Sequence, residues 1–162
     1  MFWSKKKRHA AKNAAETEAG TELSPPVVSA TLDDVKRVIR EFEQHLPKGI
    51  NRTVLIGQDN EINFQLLIPA LGGIPQEKYY MSRETFEIFP EKDKHIAIWL
   101  DVVQRAVDEY ITEEKNIPVL PGDTRKKISY SLLQNNYYLK ERPPLDFYLT
   151  DLEDMITHVP QE

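Results

Sequence analysis

The chain has 162 residues, a net charge of −5, 40% hydrophobic residues and no cysteine. That length fits one domain, and the lack of cysteine excludes disulfide frameworks, thiolate nucleophiles and every Cys-ligated zinc or iron–sulfur site. Charge is unevenly spread: residues 1–26 carry five basic residues against three acidic ones, net +2, and the remainder carries net −7.

Residues 1–30 read as a flexible basic, Ala-rich tail. Between Ala10 and Leu23 there is no large apolar side chain, so the segment cannot bury enough surface to offset its ordering entropy. Ser24-Pro25-Pro26 reads as an extended hinge, and a single α+β domain is expected over residues 31–160. Thr31 is a good N-cap with Asp33 and Asp34 in the first turn. Leu32, Val35, Val38, Ile39, Phe42 and Leu46 then recur at helical spacing until Pro47 and Gly49. Arg52 to Gly57 and Glu61 to Ile68, either side of Gln58-Asp59-Asn60, predict a β-hairpin. Pro69 to Pro75 is a loop with a tight turn at Gly72-Gly73, and a short strand is expected around Lys78 to Met81. Ser82 is predicted to cap a brief helix over Arg83 to Phe89.

His95 to Lys115 predicts the long central helix, with Trp99, Val102, Val103, Ala106, Val107, Tyr110 and Ile111 on a broad apolar face, its start open because Ile96, Ile98 and Leu100 alternate as a short strand would. Ile117 to Leu120 reads as extended. Asp123 is expected to cap a helix from Thr124 to about Gln134. Phe147 to Thr150 and Met155 to His158 suggest a second hairpin about Asp151 to Asp154, with a terminal helix as the competing reading. This order departs from regular βαβ alternation and favours helices packed on one face of a small antiparallel sheet.

No motif for phosphate, metal or nucleophile chemistry is present. The four histidines, His9, His45, His95 and His158, are scattered rather than paired at ligand spacing; His158 would pair with Asp154 if that stretch were helical. The acidic pairs Asp33-Asp34, Asp108-Glu109, Glu113-Glu114 and Glu153-Asp154 diverge on their elements and read as solvated faces. No cofactor and no metal site is expected, and the chain reads as a non-enzyme. The acidic body disfavours nucleic acid, since only Arg125, Lys126 and Lys127 form a compact basic run in it. A winged-helix-like unit made of the Thr124 helix and the last hairpin is the weaker reading that would change this. A small-ligand site, or an enzyme with an unfamiliar one, would sit where the Gly72-Gly73 loop meets the sheet.

Two features point to partners. Phe2 and Trp3 precede Lys5, Lys6, Lys7 and Arg8, the parts of a weak interfacial anchor on an anionic membrane, together roughly 4–6 kcal/mol before ordering costs. Tyr137, Tyr138, Phe147 and Tyr148 cluster near Pro143-Pro144 in the last third, with the composition of a protein interface or, equally, of ordinary half-buried sheet residues. With no secretory signal and no apolar run long enough to span a bilayer, a cytoplasmic location is expected, peripheral to the inner membrane face if the anchor operates.

Trp99-Leu100-Asp101-Val102-Val103-Gln104-Arg105-Ala106-Val107-Asp108 and Phe147-Tyr148-Leu149-Thr150-Asp151 resemble a family of short proteins of unknown function from Bacillus-type bacteria. The resemblance covers residues 31–160. It implies a bacterial origin and no mechanism. The function expected from the residues is a non-enzymatic protein-interaction module, whose N-terminal tail either serves only as a solubilising start or holds it loosely at a membrane.

Overall fold

The computed structural model describes residues 23–162. It is a mixed α+β fold. Helix α1 (Leu32–Gln44) starts in a capping box: the Thr31 hydroxyl accepts from the Asp34 N–H, and the Asp34 carboxylate accepts from the Thr31 N–H. Its buried stripe is Val35, Val38 and Ile39, and His45 closes its C-terminus. Helix α2 (Ile68–Leu71) is a single turn, α3 (Lys94–Glu114) is the long central helix, and α4 (Tyr130–Asn135) is short. The strands are β1 (Val27–Val28), β2 (Ile74–Pro75), β3 (Tyr79–Met81), β4 (Ile88–Pro90), β5 (Tyr148–Leu149) and β6 (Ile156–Thr157). Instead of one sheet covered by helices, they form three two-stranded ribbons: β1–β2 parallel, β3–β4 and β5–β6 antiparallel.

The β3–β4 ribbon is a wall between two cores. Tyr79, Met81 and Ile88 point to the side of α1, where they meet Val35, Val38, Ile39, Leu55, Phe64 and Leu67. Tyr80 and Phe89 point the other way, into the core built on α3 with Leu100, Val103, Val107, Leu133 and Phe147. Period-two alternation therefore feeds two apolar interiors at once, and this ribbon is buried on both faces.

Several sequence expectations are corrected. The first hairpin survives as one bridge, Ile56 to Ile62. Arg52–Leu55 instead curls into a 3-10 turn capped by Asn51, and Gln65–Leu67 into another. Residues 82–87 form the β3–β4 hairpin loop, not a helix, because their donors are engaged elsewhere. Ser82 N–H donates to Glu87 O at 2.9 Å and Phe86 turns to φ +62°. The helix expected from Thr124 begins only at Tyr130, with Ser129 as its N-cap. Before it, Lys127 and Ile128 bridge to Tyr148 and Val119 as short extended pairings. The helix of the suggested winged-helix unit is thereby reduced to six residues. Lys126 is ion-paired to Asp151 and Lys127 to Asp146, so the basic run is largely neutralised in place.

At the start of the described chain, β1 lies against β2 through Ile74 N–H to Pro26 O and Gln76 N–H to Val28 O. The turn at Gly72-Gly73 makes this possible. Gly72 closes α2 in the left-handed region at φ +80°, and a Cβ on Gly73 would stand 2.2 Å from Pro26 O. Only a glycine lets the two backbones approach this closely. Among the described residues no helix is long and apolar enough to cross a membrane.

Candidate functional site

Helix α3 organises its surroundings through two buried polar side chains. Asp101, 4% exposed, reaches the 82–87 loop and receives four donors. The Ser82 hydroxyl (2.6 Å) and the Glu84 N–H (3.1 Å) go to one oxygen, the Arg83 N–H (3.0 Å) and the Asn60 amide to the other. Asn60 also donates to Met81 O at 3.1 Å, which ties the left-handed Asp59-Asn60 turn to β3. One turn on, Gln104 accepts from the Ile156 N–H at 2.8 Å and donates to Asp154 O at 3.0 Å. These residues satisfy backbone groups that would otherwise be buried without partners, and every acceptor of Asp101 is occupied from within the fold.

His158 does not pair with Asp154. It directly follows β6, where its Nδ1 lies 3.3 Å from Glu87 and its ring meets Phe89 edge-on at 5.5 Å. Burial raises the Glu87 carboxyl above its usual range, against the opposing pull of His158 and Lys36. A groove of about 520 Å3 runs beside this pair along Arg52, Phe86, Thr150 and Met155. Arg52 is held there by Glu43 and stacks over Phe86 at 5.3 Å. His45 and His95 lie apart from it, and among the described residues no three His, Asp or Glu side chains converge as a metal cage would. The hollow beside the Gly72-Gly73 loop measures about 440 Å3 and is bordered by Gln58, Glu61, Asn63, Ile74, Pro75 and Lys78.

The expected interface residues separate. Phe147 is 0% and Tyr148 8% exposed, the first packed in the core on α3 and the second buried in β5. Their aromatic character belongs to β5 packing. Tyr137 and Tyr138 stay at the surface, and the reason is the end of α4. Tyr138 N–H donates to Leu133 O at 2.9 Å and Tyr137 N–H to Gln134 O at 3.1 Å. This is a Schellman ending with Tyr137 at the left-handed position, φ +64°. Glycine or asparagine ordinarily takes that place; here a tyrosine does, with 93% of its surface exposed. Tyr138 turns back onto α3, edge-on to Tyr110 at 5.4 Å, and its hydroxyl donates to Glu114 at 3.0 Å. Desolvation against the helix, then the hydrogen bond and charge of Glu114, with Glu113 and Glu109 behind, push its phenol up to about 12.

Beside this corner a groove of about 510 Å3 runs along α3, lined by Trp99, Val102, Arg105, Ala106 and Glu109 on the helix and by Tyr138, Leu139, Lys140 and Glu141 on the following loop. Trp99, Val102, Ala106, Glu109 and Glu113 follow one another at intervals of three and four, one stripe that starts apolar and ends acidic. Sequence reading found Tyr137 and Tyr138 but took Trp99, Val102 and Ala106 for core alone. Phe2, Trp3, Lys5, Lys6, Lys7 and Arg8 lie outside the described residues.

No curated protein and no solved structure matches the chain. A family model does, over residues 25–158, from just ahead of β1 to His158 just after β6. The chain therefore belongs to the family described as Protein of unknown function (DUF3939).

Proposed function

We propose that this domain is a non-enzymatic protein-interaction module whose contact face is the Tyr137 corner and the adjoining groove on α3. The observation that carries the reading is Tyr137: almost wholly exposed, yet held at a left-handed position that disfavours it. An L-residue with a Cβ costs about 1–2 kcal/mol there, and strain of this kind concentrates where surfaces have work to do. An exposed tyrosine next to a partly apolar groove is the composition of an interface hot spot.

The test is photo-crosslinking from a benzoylphenylalanine placed at Tyr137 in cells that express the chain natively. One dominant protein adduct is expected, absent when the probe is placed at Lys48 on the far loop. The same adducts from both positions would refute the assignment. The segment Phe2 to Arg8 supports the second half of the proposal, loose attachment of a cytoplasmic protein to the inner face of an anionic membrane. Full-length chain should co-sediment with phosphatidylserine vesicles and lose this when Lys5, Lys6, Lys7 and Arg8 are all changed to alanine. Undiminished sedimentation of the variant would remove the tail from the account.

A further inference from the structure

We propose that the α3 groove binds the chain's own segment Phe2–Arg8, so that the docking face is covered by the same molecule until a partner displaces it. The inference rests on the docking-face reading and adds its ligand class, aromatic side chains followed by a run of cations.

The charge of the groove is the first argument. Glu109 and Glu141 line the groove, Glu113 and Glu114 follow on the exposed C-terminal end of α3, and none of these four is in an ion pair among the described residues. Arg105, the cation best placed to neutralise Glu109 one turn away, instead lies 3.8 Å from Glu84. Lys140 is the other cation lining the groove. A helix end carrying several unmatched carboxylates also opposes its own dipole, so a bound polycation relieves two unfavourable terms together.

Order and length agree as well. The stripe runs from Trp99, Val102 and Ala106 to Glu109 and Glu113, apolar then acidic; the segment runs from Phe2 and Trp3 to Lys5, Lys6, Lys7 and Arg8, aromatic then basic. Trp99 to Glu113 covers about 21 Å of helix, and residues 2–8 extended cover about 20 Å. Residues 9–22 separate the segment from the described chain and reach about 46 Å when extended, against about 37 Å for the diameter of a domain this size.

The absence of cysteine permits a clean test on the full chain. A nitroxide on Ser4→Cys should selectively broaden the Trp99 indole and the Tyr138 and Leu139 amide signals. The broadening should vanish in about 1 M salt, where the screening length is about 3 Å. It should also vanish in Glu109→Lys/Glu113→Lys, and return when Lys5, Lys6, Lys7 and Arg8 are changed to glutamate in that background. Groove signals no more broadened than the rest of the surface would overturn the proposal. So would equal broadening in a mixture of isotope-labelled unspiked chain with unlabelled spin-labelled chain, which would mean that a second copy supplies the segment. Failure here with the Tyr137 cross-link intact removes only the self-docking; loss of the cross-link with broadening intact removes only the external partner.

Discussion

Replacing Asp101 with alanine takes away the acceptor of four donors at once: the Ser82 hydroxyl, the Arg83 and Glu84 N–H groups and the Asn60 amide. The first and last of these bonds are buried, so the Ser82 hydroxyl loses its acceptor and the Asn60 amide keeps only Met81 O; the two N–H groups are half-buried and recover some hydration. Orphaned buried donors cost about 1–3 kcal/mol each, and breaking a buried charged network costs about 3–5 kcal/mol in all. Against a domain stability of about 5–15 kcal/mol, that is a large share. The urea midpoint should fall by roughly 2 M at a slope of about 2 kcal/mol per M, and Tm by roughly 10–15 °C. Asp101→Asn is nearly isosteric yet should fare little better, because whichever way its amide turns, an NH2 faces N–H donors. A second cycle with Asn60→Ala should show coupling, since both changes remove the same bond. Urea midpoints of Asp101→Ala within 0.5 M of the parent, or a benign Asp101→Asn, would refute the reasoning, for the fold would then not depend on this carboxylate.

Gly73→Ala places a Cβ where Pro26 O stands, 2.2 Å away, so β1 should detach and the Ile74 and Gln76 amides lose their hydrogen-exchange protection; unchanged protection would contradict the close-approach argument. Tyr137→Gly should raise stability by about 1 kcal/mol and Tm by a few degrees, since glycine adopts the left-handed position freely; a lower Tm would show that the tyrosine side chain contributes packing instead of strain. Glu87 gives a pH signature. Its raised carboxyl means that the folded chain holds this proton more tightly than the unfolded one, so its contribution is full below the ordinary value of 4.5 and is lost as pH rises through the folded value. Glu87→Gln should therefore be more stable than the parent at pH 7 and show a flatter stability profile through that window; parallel profiles by thermal unfolding would dismiss the idea.

How much was legible in the sequence depends on what kind of force set each element. Helices α1 and α3 could be read because an amphipathic repeat and a capping box are local, and their ends match to within a residue or two. The second hairpin was legible for the same reason. The first hairpin and the 83–89 helix were misread because distant residues decide them: Asp101 collects the donors of Ser82, Arg83 and Glu84, and Asn60 is pulled away from its turn toward β3. A signal for this was present. Asp101 and Gln104 fall on one stripe with Ala97, Leu100 and Val107, and polar residues on a buried stripe must have partners somewhere. Nothing in the sequence named those partners. Of the aromatic cluster, Tyr137 and Phe147 look alike in composition; only the end of α4 and the pairing of the chain just ahead of β5, where Ile128 N–H donates to Phe147 O, send one outward and the other into the core.

Asp101 and Gln104 stand three residues apart on one helix, yet each anchors a different ribbon. Their angular offset is fixed by the helical pitch, so a single inserted residue between them would swing one anchor about 100° away from its ribbon. The length of this stretch is therefore frozen in any relative that keeps both ribbons, and gaps in the family should collect elsewhere, above all in the exposed connection after Glu114. Distance along the sequence from Asp101 to Gln104 thus works as a ruler by which a divergent member can be aligned when its residues no longer resemble these.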